Sequence, residues 1–281
     1  MNLFDTNVQH ALETHTEYAS LRNVVEKELM HQDILRTMSQ AGFLKQLTFI
    51  GGTCLRLCYG SERLSEDLDF SSDFNFKKSD LKEIGALVQH TFKQKYDFAI
   101  TVEDPVKETG NTHTWKIKII TRPQQKNMPL QRINLDIVRL PSYTKDNRMI
   151  RDYYGINSGV SGIILKAESL EEILIDKIIA LALRPNRVKN RDLWDIFWLD
   201  RKNIQFNNKL FIQKLKDRSV HLPTFTNQYT TRIQEITAGQ KDFLHEMSRF
   251  LAPNAFDVSF ISPIWWEQLI RVIKQYPPMW Q

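Results

Sequence analysis

The chain has 281 residues, 42% of them hydrophobic and 11% aromatic, with 38 Lys+Arg against 33 Asp+Glu for a formal charge of +5. That much apolar material can build one large domain or two modest ones, and it excludes a disordered or tail-like protein. The mild basic balance tolerates a polyanionic partner such as RNA or a nucleoside triphosphate without demanding one. The first ten residues, MNLFDTNVQH, show no basic region followed by an apolar run, so no secretion signal is read there. The most apolar stretch, residues 163–183, is interrupted by several charges and is no membrane span. Cys54 and Cys58 have no His or Cys neighbour at metal-ligand spacing and read as core side chains. The expectation is a cytoplasmic protein.

In chain order, the first 45 residues read as helical, with Leu21, Val24, Val25, Leu29, Ile34, Leu35 and Met38 at helical spacing. LTFIGG reads as a short strand closed by a turn, and TCLRLCYG as a helix of about two turns ended by Gly60. In SEDLDFSS, Leu68 and Phe70 alternate with Asp67 and Asp69 at strand period. Residues 79–92 return to helical spacing. Strands are expected at 98–102, at 114–121 with Trp115, Ile117 and Ile119 on one face, at 131–140, and in GVSGIIL; the turn-rich RPQQKNMP joins two of them. This gives a mixed α+β (α/β) module with a sheet of about five strands, assigned to residues 1–167. From residue 168 to 281 a helical module is expected. It opens on a capping box, Ser169 with Glu172, and the helix stops at Arg184-Pro185-Asn186. Further helical segments fall at 189–199, 210–215, 231–235 and 241–250, punctuated by Pro223, Pro253, Pro263 and Pro277-Pro278.

Asp67 and Asp69 are two apart in an extended segment, so their side chains share a face. Two like charges side by side are costly without a cation or strong donors to balance them. Asp136 sits in INLDIV between Leu135 and Ile137, so its carboxylate faces away from its apolar neighbours. If its strand lies beside the Asp67–Asp69 strand, three carboxylates converge into a cage for one or two Mg²⁺ ions. An Asp-x-Asp pair alone is more often a pair of solvated turn residues. Gly51-Gly52-Thr53 narrows the reading: two glycines between strand and helix let a phosphate approach backbone N–H groups, and Thr53 can cap the helix or donate its hydroxyl to a phosphate. No Gly-Lys-Ser/Thr follows, so this is not a Walker A loop.

The run GGTCLRLCYGSERLSEDLDFSS resembles the signature of the nucleotidyltransferase superfamily, and more closely that of the AbiEii/AbiGii toxin family, roughly Gly-Gly-Thr-x-Leu followed by Arg-x-Ser-x-Asp-x-Asp-Phe. The resemblance covers about residues 40–200. It implies a nucleotidyltransferase-like mixed sheet flanked by helices, with a helical module after it. It implies that Gly51, Gly52, Thr53, Arg63 and Ser65 bind nucleotide, and that Asp67, Asp69 and Asp136 are catalytic metal ligands. Lys177 in LIDKIIAL and Arg191-Asp192-Leu193-Trp194-Asp195 match the family's helical pattern. Lys177 and Asp195 are thereby catalytic candidates, and Lys177, Arg184 and Asp192 nucleotide-binding ones. Lys177 and Arg184, seven apart, share a helix face; the plain alternatives are a solvated lysine and structural ion pairs from Asp192 and Asp195.

In activity, the resemblance implies a nucleotidyltransferase using Mg²⁺ or Mn²⁺ to move a nucleoside monophosphate from a nucleoside triphosphate to an acceptor hydroxyl. The family's biology points to a toxin of a toxin–antitoxin or phage-defence pair, to RNA (the tRNA 3′ end) as acceptor, and to a genetically linked antitoxin that need not bind it. The alternatives are nucleotidylation of a protein or small molecule, or a non-catalytic nucleotide- or RNA-binding module on the same fold. The seven histidines do not cluster, so neither a zinc site nor a histidine base finds support. Trp265, Trp266 and Trp280 near basic residues read as core packing, with base stacking as the alternative.

Overall fold

The computed structural model describes residues 2–105, 110–122, 124, 130–156, 159–255 and 262–280. The chain divides into two compact units, Met1–Glu168 and Ser169–Gln281.

The first unit is a seven-stranded mixed sheet with helices on one face. Its strands are β1 (Thr48–Ile50), β2 (Leu68–Ser71), β3 (Ala99–Glu103), β4 (Thr112–Ile120), β5 (Gln131–Val138), β6 (Lys145–Met149) and β7 (Ile164–Glu168). The sheet order is β3-β4-β5-β2-β1-β7-β6, with β2/β5 and β1/β7 parallel and the remaining pairs antiparallel. Strict alternation divides the two faces. His113, Trp115, Ile117 and Ile119 of β4, Ile133, Leu135 and Ile137 of β5, and Leu68 and Phe70 of β2 are all buried. Helices α1 (Leu3–Thr14), α2 (Arg22–Gln40) and α4 (Ile84–Tyr96) pack together over this apolar face; α2 meets β5, where Gln131 donates to Glu26 at 2.9 Å. The opposite face carries the intervening polar side chains. Between β1 and β2 lies α3 (Gly51–Cys54), which widens into a π-helical stretch over Leu55–Tyr59 and ends at Gly60, whose φ of 83° is the left-handed stop glycine permits. Cys54 and Cys58 are buried free thiols, and burial pushes the Cys54 thiol well up.

Two strands depart from the expectation of about five. β6, KDNRM, is exposed at every position and has no apolar alternation; it is an edge strand held through backbone pairing with β7. The expected GVSGIIL strand starts only at Ile164, because Gly159 and Gly162 adopt φ of 72° and 88°, outside the β region. The expected helix over 79–92 is regular only from Ile84. Most of the RPQQKNMP linker, residues 123 and 125–129, lies outside the described residues.

The second unit is helical: α5 (Leu170–Leu183), α6 (Asn190–Arg201), α7 (Asn208–Asp217), α8 (Leu222–Thr237), α9 (Gln240–Met247) and α10 (Pro263–Lys274). Ser169 caps α5 by accepting from the Glu172 amide at 3.2 Å, and the Glu172 carboxylate pairs with Lys214 at 2.7 Å. Pro223 and Pro263 do not break helices. Each sits in a first turn, where a missing N–H costs nothing. Trp266 and Trp280 are buried and Trp265 is half-buried: Trp280 stacks on Phe211 with ring centroids 5.1 Å apart, and Trp265 stacks on Trp194 at 6.4 Å. Among the described residues no helix is long and apolar enough to cross a membrane.

Candidate active site

The site is built where β1, β2 and β5 lie side by side. At the end of β1 the chain turns through Gly51, with φ of 77°, into α3. A Cβ on Gly51 would sit 2.7 Å from Asp69 Oδ2, and one on Gly52 would run into the Arg63 guanidinium and lie 3.2 Å from Ser65 Oγ. The two glycines therefore let protein side chains close against the turn. Thr53 is fully buried and donates its hydroxyl to the Asp67 carbonyl; α3 has no side-chain cap. Of the two expected roles for Thr53, capping the helix and donating to a phosphate, the first is not taken up: its hydroxyl is engaged by the Asp67 carbonyl. Arg63 and Ser65 are buried too, and Arg63 donates to the Leu64 carbonyl at 3.0 Å, placing a cation beneath the turn.

Ser65 and Glu66, just before Asp67, are held from α2. Glu28 accepts from the Ser65 amide at 3.3 Å, His31 Nε2 lies 3.0 Å from the Glu66 carbonyl, and Lys27 pairs with the Glu66 carboxylate at 2.7 Å. Glu28 is itself fixed by Arg56 and by the Tyr154 hydroxyl at 2.6 Å. Burial pushes the His31 imidazole down to about 4, although Glu28 and the Glu66 carbonyl pull the other way. It is neutral near pH 7, with Nε2 as the donor to Glu66.

β2 and β5 run parallel with Asp69 in register with Asp136. Both carboxylates belong to the half-buried positions of the polar face, between the buried pairs Leu68/Leu135 and Phe70/Ile137. Thr114, register partner of Asp136 on β4, donates to Asp136 Oδ1 at 2.6 Å. Asp67 precedes the strand, and its Oδ1 accepts the Asn134 amide at 3.1 Å. Among the described residues no group of three or more His, Cys, Asp or Glu is placed to hold a metal ion. The expected three-acid cage is thus not preformed. What the sheet supplies is an all-oxygen pair, Asp69 with Asp136. That fits a hard cation such as Mg²⁺ or Mn²⁺, which takes one or two carboxylates and completes its shell with water and substrate phosphates.

In the helical unit Lys177 on α5 is bracketed by Asp192 and Asp195 of α6, each at 2.8 Å. Arg184 reaches Asp192 at 2.7 Å. Burial pushes the Asp192 carboxyl up, but Lys177 and Arg184 together hold it far below the usual carboxylate range. Asp192 and Asp195 stand three apart on one helix face and converge on a single ammonium, which fixes the lysine's direction.

The family model described as nucleotidyl transferase AbiEii toxin, type IV TA system, matches residues 33–260. The chain belongs to the AbiEii nucleotidyltransferase toxin family. Its class of activity is nucleotidyl transfer. Among solved structures the chain is similar to MenT4, a nucleotidyltransferase toxin from Mycobacterium tuberculosis H37Rv. That likeness has 15% identity and a TM-score of 0.59, over 99% of this chain and 90% of that one. It is also similar to JHP933 from Helicobacter pylori, at 18% identity and a TM-score of 0.49 over 91% and 90% of the two chains. The MenT4 likeness shows the shared fold. A comparison with curated proteins finds no match.

Within this AbiEii chain the structure gathers Gly51, Gly52, Arg63, Ser65, Asp69 and Asp136 around one turn and one strand pair, and Lys177, Arg184, Asp192 and Asp195 into one ion network. Sequence reading missed Thr114, Asn134 and the α2 residues Glu28 and His31. The signal for Thr114 was present: it alternates with Trp115 and so falls on the Asp136 face. The α2 residues carried no local signal, because polar groups buried in a helix reveal their purpose only through their partner.

Proposed function

We propose that this AbiEii chain is a metal-dependent nucleotidyltransferase that passes a nucleoside monophosphate from a nucleoside triphosphate to a hydroxyl of RNA, the tRNA 3′ end being favoured. The observation that carries it is the register pairing of Asp69 with Asp136 beside the Gly51 turn. A divalent cation bound there would neutralise triphosphate charge and lower the pKa of the attacking hydroxyl. Asp69 and Asp136 would hold it, with Asp67 as the third acid of the set. Thr114 fixes the Asp136 rotamer through Oδ1, so the carboxylate meets the acceptor in one orientation. Gly51 and Gly52 bring backbone amides to the nucleotide phosphates, and the Arg63 cation beneath adds to their field. Within the helical unit, Lys177, oriented by Asp192 and Asp195, is the group we assign to phosphate binding, with Arg184 in support. A linked antitoxin would be the regulatory partner.

The test is incubation with each labelled nucleoside triphosphate, Mg²⁺ and total RNA. Label appearing on tRNA with the wild-type chain, and absent with folded Asp69→Asn, supports the reading. Label on protein alone, or on nothing, rejects RNA as the acceptor.

A further inference from the structure

The polar face that carries Asp69 and Asp136 continues along β4 and β5 as a row of cations. Moving away from the Thr114/Asp136 rank, the next same-face rank is Lys116 opposite Asn134, and the one after is Lys118 opposite Arg132. At a strand rise of about 3.3 Å per residue these ranks stand about 7 Å and about 13 Å from Asp136. Lys116 and Arg132 are exposed and Lys118 half-exposed. The acid facing them from β3 is Glu103, in register with Lys116 and paired with Lys118. Its carboxyl is lowered first by the Lys118 hydrogen bond and then by the charges of Lys118, Lys116 and Arg132. On the β2 side Asp67 reaches the Asn134 amide, so three cations stand against two acids and the row stays positive by one.

This arrangement works against folding. Lys118 and Arg132 are directly opposite in an antiparallel ladder, where like charges repel and cost stability. Charges are commonly placed on edge strands to block unwanted pairing, but β4 and β5 are both interior in the sheet order. An anion with regularly spaced charges lying over the row would recover the cost.

We infer that Lys116, Lys118 and Arg132 form a track for the phosphate backbone of a single-stranded RNA end, running along β4 and β5 so that its terminal hydroxyl meets Asp136. This rests on the reading that the acceptor is RNA, and it adds where the strand lies on the sheet. Phosphate contacts of this kind position without reading sequence, so the track accepts any single-stranded end and leaves base choice to other groups.

The experiment measures binding and labelling of tRNA and of a short single-stranded RNA by the full chain across a salt series. It compares the Lys116→Ala/Arg132→Ala double variant with a control of equal charge change on β6, Lys145→Ala/Arg148→Ala. Loss of two phosphate contacts is expected to raise Kd and KM for RNA roughly tenfold and to flatten the slope of log Kd against log salt by about 1.4. The β6 control is expected to keep the wild-type slope, and Lys116→Arg to keep wild-type affinity. Equal slopes for the two double variants, or no change in either, overturn the track while leaving RNA as the acceptor. A wild-type chain that neither binds nor labels RNA overturns both. Should the chain label a protein, and the Lys116/Arg132 variant weaken that labelling, the row serves a polypeptide and the inference fails. Thermal unfolding of each variant separates these results from loss of fold, since removing opposed like charges is expected not to lower Tm.

Discussion

Asp69 and Asp136 stand in register on adjacent parallel strands, two carboxylates on one face with apolar pairs immediately before and after them. Nothing in the packing of β2 and β5 calls for acids there; Leu68/Leu135 and Phe70/Ile137 already hold the pair together from the other face. On the proposed reading the acids raise the free energy of the metal-free fold, and a bound cation would release that excess.

Asp136→Asn should therefore separate stability from activity. Without divalent metal the variant is expected to be more stable than wild type by about 0.5 kcal/mol, as a like-charge cross-strand pair is relieved. Its transfer rate should fall by about a thousandfold, and the rise in Tm on adding Mg²⁺ should vanish. Calorimetry with and without Mg²⁺ decides this; an unchanged metal-dependent Tm shift would remove Asp136 from the ligand set.

Gly51 and Gly42 make a matched comparison. Both have φ of 77°, but a Cβ on Gly42 meets nothing within 4 Å, whereas one on Gly51 meets Asp69 Oδ2 at 2.7 Å. Gly42→Ala is expected to cost about 1 kcal/mol of backbone strain and to leave kcat alone. Gly51→Ala should cost more and abolish activity by displacing Asp69. Equal stability losses with activity intact in both would mean the turn does not position the carboxylate.

Stability should depend on pH through His31. Its folded value, about 4, lies below the ordinary 6.5, so the unfolded chain binds the extra proton first as pH falls. The contribution is complete above about pH 6.5 and is lost progressively down to about pH 4, amounting to about 3 kcal/mol at most. His31→Gln, able to keep a donor toward the Glu66 carbonyl, is expected to flatten this part of the curve in urea titrations at a series of pH values. A wild-type curve already flat between pH 4 and 6.5 would contradict it.

Lys177 has a structural duty alongside any phosphate. Lys177→Met leaves Asp192 and Asp195 buried with one cation fewer, at an expected cost of about 3 kcal/mol, whereas Lys177→Arg keeps the charge and should lose little stability. Urea unfolding distinguishes the two. If the Met variant is as stable as wild type, the pair is not desolvated, and its activity can be read directly as loss of phosphate binding.

Much of this arrangement was legible in the residues. Period-two alternation placed Asp69 and Asp136 opposite Leu68, Phe70, Leu135 and Ile137, and Ser169 announced the start of α5. What alternation cannot supply is which strands are neighbours, so convergence of three acids was an inference that the Asn134 amide, bonded to Asp67, modifies. Nor can spacing say which partner a hydroxyl or guanidinium takes. Thr53 and Arg63 stand at motif positions yet donate to the carbonyls of Asp67 and Leu64, a choice settled by tertiary placement. β6 was missed because an exposed edge strand needs no apolar face.

The grip of α2 on Ser65 and Glu66 has a consequence for genetics. Glu28 and His31 lie before residue 33, where the family match begins, and both act from the covered side of the sheet. A selection for chains that have lost activity will thus recover substitutions at these two positions alongside the aspartates. Such survivors would resemble active-site mutants in every assay of turnover while retaining all three acids, and only their response to temperature would tell the two groups apart.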